Sequence, residues 1–338
     1  MRNKRSEIYD TFDDIYVDIY LCGYEEEGES SVFILYTEKP QRMLLYSIVI
    51  DCYDNGSVNV TEKILKCLSK HYSRKVYLDM LIWTHPHDDH TKGLESIIKH
   101  YCNRDTKIVA ADIANSSIQL SEASQHLIEY INSVNYRLKK RWNVSTTEKL
   151  GDLLQSVRFT GKTELIKELE IRCIAPCPDI ISQKITEENI NDLCVAIIIG
   201  VKRNDGNINF LFAADMEEKT IREIINEQEM EEIPDQYAYI KIPHHGGKSG
   251  ELITGLLAMN NKSEIAASTI YSKTMKNGIS YNPNKDVLQR YQKYINEIDI
   301  TSNVFENRRG IGVIKINYDL VNQKKEVIPY GQAVRGVC

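Results

Sequence analysis

The apolar run from Val76 to Thr84 gives way to His85-Pro86-His87-Asp88-Asp89-His90. His85, His87, Asp89 and His90 form H-x-H-x-D-H, four ligand-type side chains in one short loop. On extended backbone, residues two apart point to the same side, so His85 and His87 can share one cation. Asp89 and His90 then turn toward a second. Neutral imidazole and carboxylate are donors that Zn²⁺, Mn²⁺ and Fe²⁺ accept. The bland alternative is a polar surface loop rich in histidine; the spacing favours a metal site.

Two further loops repeat the pattern of an apolar strand ending in ligand-type residues. Asn209 to Ala214 runs into Asp215, and Ala238 to Pro243 runs into His244-His245. Alone, Asp215 would read as a helix N-cap, and the His pair would be a weak signal. Three strand-end loops in one chain fit the places where α/β folds gather functional residues. After the His pair, Gly246-Gly247-Lys248-Ser249-Gly250 offers backbone N–H groups, an ammonium and a hydroxyl. That is phosphate-binding chemistry with Lys248 as a point charge; the competing reading is a plain Gly-rich turn.

The elements that must position these loops follow from hydrophobic period. Strands are expected at 14–23, 30–36, 44–51, 76–84, 107–111, 169–174, 193–203, 209–214, 238–243, 266–270 and 312–318. Helices are expected at 60–72, 216–232 and 284–296, with another capped by Thr91 and running to about Tyr101. The stretch 113–169 has helical patterning and few strand signals. Strands alternate with helices in both halves, so the class is α/β (or α+β), without internal repeats. Because residues 85 to 245 would serve one metal centre, 1–338 is expected to be a single domain, with 113–169 as a helical insertion within it.

The 338 residues are 42% apolar and 27% charged, which excludes collagens, disordered tails and disulfide scaffolds. The eight cysteines show no paired zinc spacing, and Cys173 and Cys177 depart from CxxC. Cys22, Cys52 and Cys194 read as small core residues. The N-terminus carries no apolar targeting segment, and the longest apolar run is half a membrane span. A cytoplasmic protein away from membranes is the expectation. A net charge of −6 argues against bulk-charge binding to nucleic acid but leaves room for a local basic groove.

H-x-H-x-D-H, the strand-terminal Asp of LFAAD, and IKIPHHGGKSG together resemble the metallo-β-lactamase fold superfamily, and within it the branch holding the catalytic domain of ComEC-type DNA-uptake proteins. Asp51 in SIVIDCYDNG, Asp79 in DMLIWTHPH, NDLCVAIII and the closing GIGVIKI are similar to that branch as well, so the likeness runs along most of the chain. It implies an αββα sandwich with two divalent metal ions, Zn or Mn, at its rim. His85 and His87 would hold the first ion; Asp89, His90 and a His of the 244–245 pair, preferably His244, the second; and Asp215 would bridge them. A third His for the first ion is missing. His100 and His126 sit in helical patterning, so Asn191 or Asp192 is the candidate replacement, and one-metal occupancy is the alternative.

Two cations can share a hydroxide at neutral pH and neutralise charge developing on a phosphoryl or acyl oxygen. Asp89, His245 and Lys248 are the expected catalytic residues, with Gly246, Gly247, Lys248 and Ser249 binding substrate. The expected function is a phosphodiesterase or nuclease acting on DNA, RNA or cyclic nucleotides. An ester, thioester or lactone hydrolase is the alternative, and a partner-gated component of a multi-protein assembly or homo-oligomer is the third reading. Arg137, Lys139, Lys140, Arg141 and Trp142 form a segment suited to phosphate contact and base stacking, against the plainer reading of a solvated helix face. Arg308 and Arg309 add a second basic point.

Overall fold

The computed structural model describes residues 7–10, 12–111, 119–138, 143–146, 151–161, 166–177, 186–226, 233–275, 278–302 and 310–337. One eight-stranded sheet contains β2 (Tyr16–Gly23), β3 (Glu29–Thr37), β4 (Met43–Ile50), β5 (Met80–Trp83), β6 (Lys107–Ala110), β7 (Asn143–Thr146), β17 (Gly312–Asp319) and β18 (Lys324–Gly331), in the order β18-β17-β2-β3-β4-β5-β6-β7. The other contains β1 (Glu7–Asp10), β8 (Leu153–Gly161), β9 (Ile166–Ala175), β10 (Ala196–Arg203), β11 (Gly206–Phe212), β12 (Tyr239–Lys241), β13 (Ser263–Ser268) and β16 (Ile295–Ile300), in the order β1-β8-β9-β10-β11-β12-β13-β16. A separate hairpin pairs β14 (Tyr271–Met275) with β15 (Gly278–Asn282).

The two sheets pack face to face because their strands alternate. Val17, Ile19, Leu21, Phe33, Ile48 and Ile50 turn inward from the first sheet. The Phe33 ring meets Phe210 and Phe212 of the second sheet edge-on, with centroids 5.8 and 6.5 Å apart. Each such side chain contributes about 1.5–3 kcal/mol when fully buried. The opposite face of the first sheet, with Val32, Ile34, Val49 and Leu81, is covered by Leu65 and Leu68 of α1 (Val60–His71), by Leu94, Ile97 and Ile98 of α3 (Leu94–Tyr101), and by Leu127 of α4 (Glu122–Leu138). Ile221 and Ile224 of α5 (Glu218–Asn226) and Val287, Leu288 and Tyr291 of α6 (Lys285–Tyr291) pack with the second sheet. The layering is helix, sheet, sheet, helix, the mixed α/β sandwich expected from sequence.

Each sheet has an antiparallel run followed by a parallel one, and β1 adds a further parallel strand beside β8 at the edge of the second sheet. β4 to β7 run parallel, as do β11, β12, β13 and β16. Parallel strands end together, so their carboxyl ends deliver loops to one rim. Asp51 follows β4, His85 follows β5, Asp215 follows β11, His245 follows β12 and Thr269 follows β13. The Val195 N–H donates to the Thr84 carbonyl (2.9 Å), tying the rims of the two sheets together.

The stretch 113–169 is corrected: it is helical over Glu122–Leu138 but then supplies β7, β8 and the start of β9 to the two sheets. Val157 and Phe159 alternate with Ser156 and Arg158, a period of two that charged residues on the outer face conceal. The helix expected at 284–296 ends at Tyr291, and β16 and β18 complete the sheet edges. Thr91 closes the one-turn helix α2 (Asp88–Thr91) and does not cap α3, whose N-cap is Gly93. Among the described residues, no helix is long and apolar enough to cross a membrane.

Candidate metal centre

The loop after β5 changes conformation partway. His87 is extended (φ −83°, ψ 150°) and the chain turns helical from Asp88. The Thr91 hydroxyl fixes this by donating to the His87 carbonyl (2.7 Å), while the Trp83 indole N–H donates to Thr91 Oγ1 (3.0 Å). Asp89 and His90 therefore leave the extended segment of His85 and His87 on a helical turn, yet the His90 ring still packs 4.2 Å from the His85 ring.

Asp89, His90, Asp215 and His245 converge, each buried, with one ligand atom apiece all within 4.8 Å of one another. His90 Nε2 lies 3.5 Å from both Asp89 Oδ2 and Asp215 Oδ2. His245 Nε2 lies 3.3 Å from the same two oxygens. These are ion-pair distances without hydrogen-bond geometry, and both Nε2 atoms are buried without a hydrogen-bond partner. Two buried imidazole nitrogens left bare opposite two carboxylates fit a divalent cation.

The far side of each ring is anchored. His90 Nδ1–H donates to Asp51 Oδ2 (2.7 Å), and Asp51 also accepts from the Thr84 hydroxyl (2.6 Å) and Thr84 N–H (2.8 Å). His245 Nδ1–H donates to Thr269 Oγ1 (2.7 Å), whose hydroxyl donates to Glu29 Oε2 (2.6 Å). Such partners fix tautomer and orientation and leave Nε2 as the donor atom. Lys241, only 1% exposed, points between the sheets to Glu29 Oε1 (2.7 Å) and Asp215 Oδ1 (3.3 Å). It also donates to the Ala214 carbonyl (2.7 Å), so it holds Asp215 by both charge and backbone.

Electrostatics follow from this packing. Burial works against charge on His245, yet Asp215, Asp89 and Glu29 raise it to about 9. Burial also opposes charge on His90, and Asp89, Asp215 and Asp51 hold it well above the usual imidazole range. Asp89 and Asp215 resist the upward pull of burial and stay below the carboxylate range, held down by His90 and His245, with Lys241 helping at Asp215. A cation entering this cluster would displace the imidazolium protons.

His85 and His87 form a different arrangement. Their rings meet at 3.0 Å between His85 Nε2 and His87 Nδ1, and His85 Nδ1 lies 2.9 Å from Thr84 Oγ1 and 3.4 Å from Cys194 Sγ. Burial, then the neighbouring imidazoles, drives His85 well below its ordinary value. The pair adjoins the buried cluster through the His85 and His90 rings, whose centroids are 4.2 Å apart.

The preference for His244 is corrected. His245 takes the central position, while His244 Nδ1 faces Glu217 Oε1 (2.8 Å) and Ser249 Oγ (2.6 Å). Both residues adopt left-handed backbone, φ 47° and 50°, which swings consecutive side chains to different sides. Of the candidates for the place of a third His, Asn191 keeps its buried Oδ1 without a partner. Asn191 donates to Glu217 Oε1 (3.1 Å) and Asp192 pairs with Lys219 (2.9 Å). His100 and His126 are exposed and face Glu62 and Glu95, as surface histidines do.

The glycine loop owes its composition to packing. A Cβ on Gly246 (φ +72°) would meet Pro283 Cβ at 2.6 Å, and one on Gly247 would meet Asn282 Nδ2 at 2.8 Å. Gly247 N–H is already donated to the His244 carbonyl (2.8 Å), and Ser249 is engaged with His244. Lys248 stands exposed. Lys139, Lys140, Arg141, Trp142, Arg308 and Arg309 lie outside the described residues. Arg137 is on α4, but its side chain is outside the description.

Sequence reasoning missed the anchors Glu29, Thr269 and Lys241, and saw Asp51 only as part of a turn and Cys194 only as core. Asp51 ends an apolar strand, the same signal that marked Asp215. Cys194 Sγ accepts from the Asp215 N–H (3.0 Å) and abuts His85. Tyr271 lies nearly parallel to the His245 ring at 5.2 Å, forming one wall of the centre.

No protein-family profile matches the chain, and no curated protein matches it. Among solved structures, the metallo-β-lactamase SMB-1 bound to 2-mercaptoethanesulfonate shares 12% identity over 57% of this chain and 63% of its own, with a TM-score of 0.29. BJP-1, a subclass B3 metallo-β-lactamase of Bradyrhizobium japonicum, shares 19% over 60% of each chain, with a TM-score of 0.27. GOB-18 of Elizabethkingia meningoseptica shares 12% over 64% of this chain and 65% of its own, also with a TM-score of 0.27. The matches thus span less than two thirds of those enzymes, and overlaps this weak add no weight to the geometry above.

Proposed function

We propose that this chain is a metal-dependent hydrolase that cleaves phosphodiesters of nucleic acid or nucleotides. The observation that carries it is the buried quartet Asp89, His90, Asp215 and His245, with two anchored imidazoles whose Nε2 atoms have no partner. These four residues would hold a divalent ion, and His85 and His87 a second beside them. When bound, such ions lower the pKa of water toward neutrality and neutralise charge on a phosphoryl oxygen.

The chain's own residues supply the rest. Asp51, and Thr269 backed by Glu29, orient the imidazoles. Lys241 keeps Asp215 ionised and fixed. Burial of every member of the quartet excludes bulk water from its inner side. The exposed ammonium of Lys248, three residues beyond His245, is free to meet a phosphate. The resemblance to the ComEC-type branch supports phosphodiesters over carboxylic esters.

The test is elemental analysis of the purified protein beside a substrate panel: single- and double-stranded DNA, RNA, a bis(p-nitrophenyl) phosphate reporter, and thioester and lactone probes. Metal with phosphodiester turnover, both lost in His245→Ala, is expected. Turnover of acyl substrates alone would replace the phosphodiester reading with the acyl one. Stoichiometric metal without turnover until another protein is added would place the chain in a partner-gated assembly.

A further inference from the structure

Away from the metal centre, the outer face of the first sheet holds a second cavity. α1 packs over β3 and touches β2 and β17 through Val60 and Ile64, and the gap between α1 and β2, β17 and β18 forms a pocket of about 590 Å³. That volume lies within the range of small-molecule sites. Its walls are the rings of Tyr20, Tyr36, Tyr72 and Tyr330 and the apolar stripe Val60, Ile64 and Leu68 of α1.

The chemistry of this pocket is set by Asp18, a 5% exposed carboxylate on its floor. Tyr20 and Tyr36 donate their hydroxyls to it at 3.2 and 3.4 Å, and Asn317 and Lys315 each reach it at 2.8 Å. Its lone pairs are thereby occupied, and the phenols are tethered at their tips. Burial also pushes the phenols of Tyr20, Tyr36 and Tyr72 up, so they stay neutral. Tyr36 already stacks on Tyr16 (centroids 5.4 Å) and the Lys315 ammonium lies over Tyr20 (5.5 Å), so what the tyrosines lining the cavity offer a visitor is the remaining ring surface. Flat faces select flat partners. At the rim, Glu38 is partly exposed, paired with Arg42 (2.6 Å) and loosely with His71 (3.8 Å), and can accept from an amino group. Lys63 lines the pocket from an exposed position and supplies a donor.

We propose that this pocket binds a planar heteroaromatic ring carrying an exocyclic amino group, of nucleoside size. It goes beyond the reading at the metal centre and does not depend on it. A free thiol, Cys67, lines the pocket from an exposed position on α1, whereas Cys22, Cys52, Cys102, Cys173, Cys177 and Cys194 are buried.

The experiment uses the full chain in a Cys338→Ser background and follows modification of Cys67 by a thiol reagent, with adenosine, cytidine or ribose added. Adenosine or cytidine should slow labelling by about fivefold or more at saturating, roughly millimolar, concentration, and ribose should not. Saturation-transfer NMR then compares wild type with Cys67→Trp, which fills the cavity, and with Tyr330→Ala, which removes an exposed wall. Binding lost in Cys67→Trp and weakened in Tyr330→Ala, with His245→Ala still binding, is the expected result. Unchanged labelling would overturn the proposal. So would binding that survives Cys67→Trp or disappears in His245→Ala.

Discussion

The rim of the sandwich holds two ligand clusters that touch but are built differently. In the buried quartet, each imidazole faces two carboxylates and is anchored behind by an oxygen. In the His85 and His87 pair, two imidazoles face one another at 3.0 Å, and the nearest loop carboxylate, Asp89, is shared with the quartet. The quartet draws on both sheets, whereas the pair comes from one extended segment. Charge and anchoring make the quartet the stronger place for a cation. The pair depends on that neighbour for any negative charge.

The largest effect should come from removing one of the two carboxylates that both imidazoles share, the one that Lys241 also holds. Asp215→Ala should lose phosphodiester turnover by about 10³-fold or more and release bound metal, read by kinetics and elemental analysis. If turnover survives while metal is lost, the quartet is not the reaction centre. Next is the anchor: Asp51→Asn keeps the shape but weakens the acceptor behind His90, and should lower metal affinity about 10–100-fold in a chelator competition. An unchanged affinity would mean that burial alone orients the ring. His87→Ala should reduce the metal equivalents bound while leaving the tighter one in place, as titration calorimetry would resolve. Loss of both together would erase the distinction between the clusters.

The smallest effect concerns a carboxylate that lacks what the quartet has. Asp299 is buried, its Oδ2 has no partner, and burial pushes its pKa up to about 7 against the weaker pull of Arg335 and Lys325. Its folded value lies above the unfolded one. The protein therefore binds more protons folded than unfolded between those values, and stability falls as pH rises from about 4 through 7. Asp299→Asn should raise Tm by roughly a few degrees at pH 8 and leave it nearly unchanged at pH 4. Equal effects at both pH values would show that shape, not charge, governs the site.

The ligands were legible in the sequence where they were local. H-x-H-x-D-H lies in one loop, and Asp215 and the His pair end apolar runs, so residue type and strand position sufficed. The choice between His244 and His245 was not legible, because it turns on two left-handed backbone angles at residues whose types do not demand them. The anchors were not legible either. Glu29 falls in an acidic turn before an expected strand and Thr269 inside another, and neither stands out until the sandwich brings them to His245. Likewise, Lys241 inside an apolar strand gains its meaning only from Glu29 across the sheets. The mixed α/β class was readable from periodicity, while β7 was hidden because four residues, one of them apolar, are too few to show a period, and β8 because its polar outer positions break the apolar run.

The rim where parallel strands end has a mechanical consequence. Asp89 and His90 hang from one sheet and Asp215 and His245 from the other, on loops far apart in the chain. A single ion among them would act as a rivet, closing long loops much as a disulfide does. Force applied between the two sheets would then meet a resistance set by metal concentration, and a chelator would turn a stiff sandwich into one that peels apart at its rim.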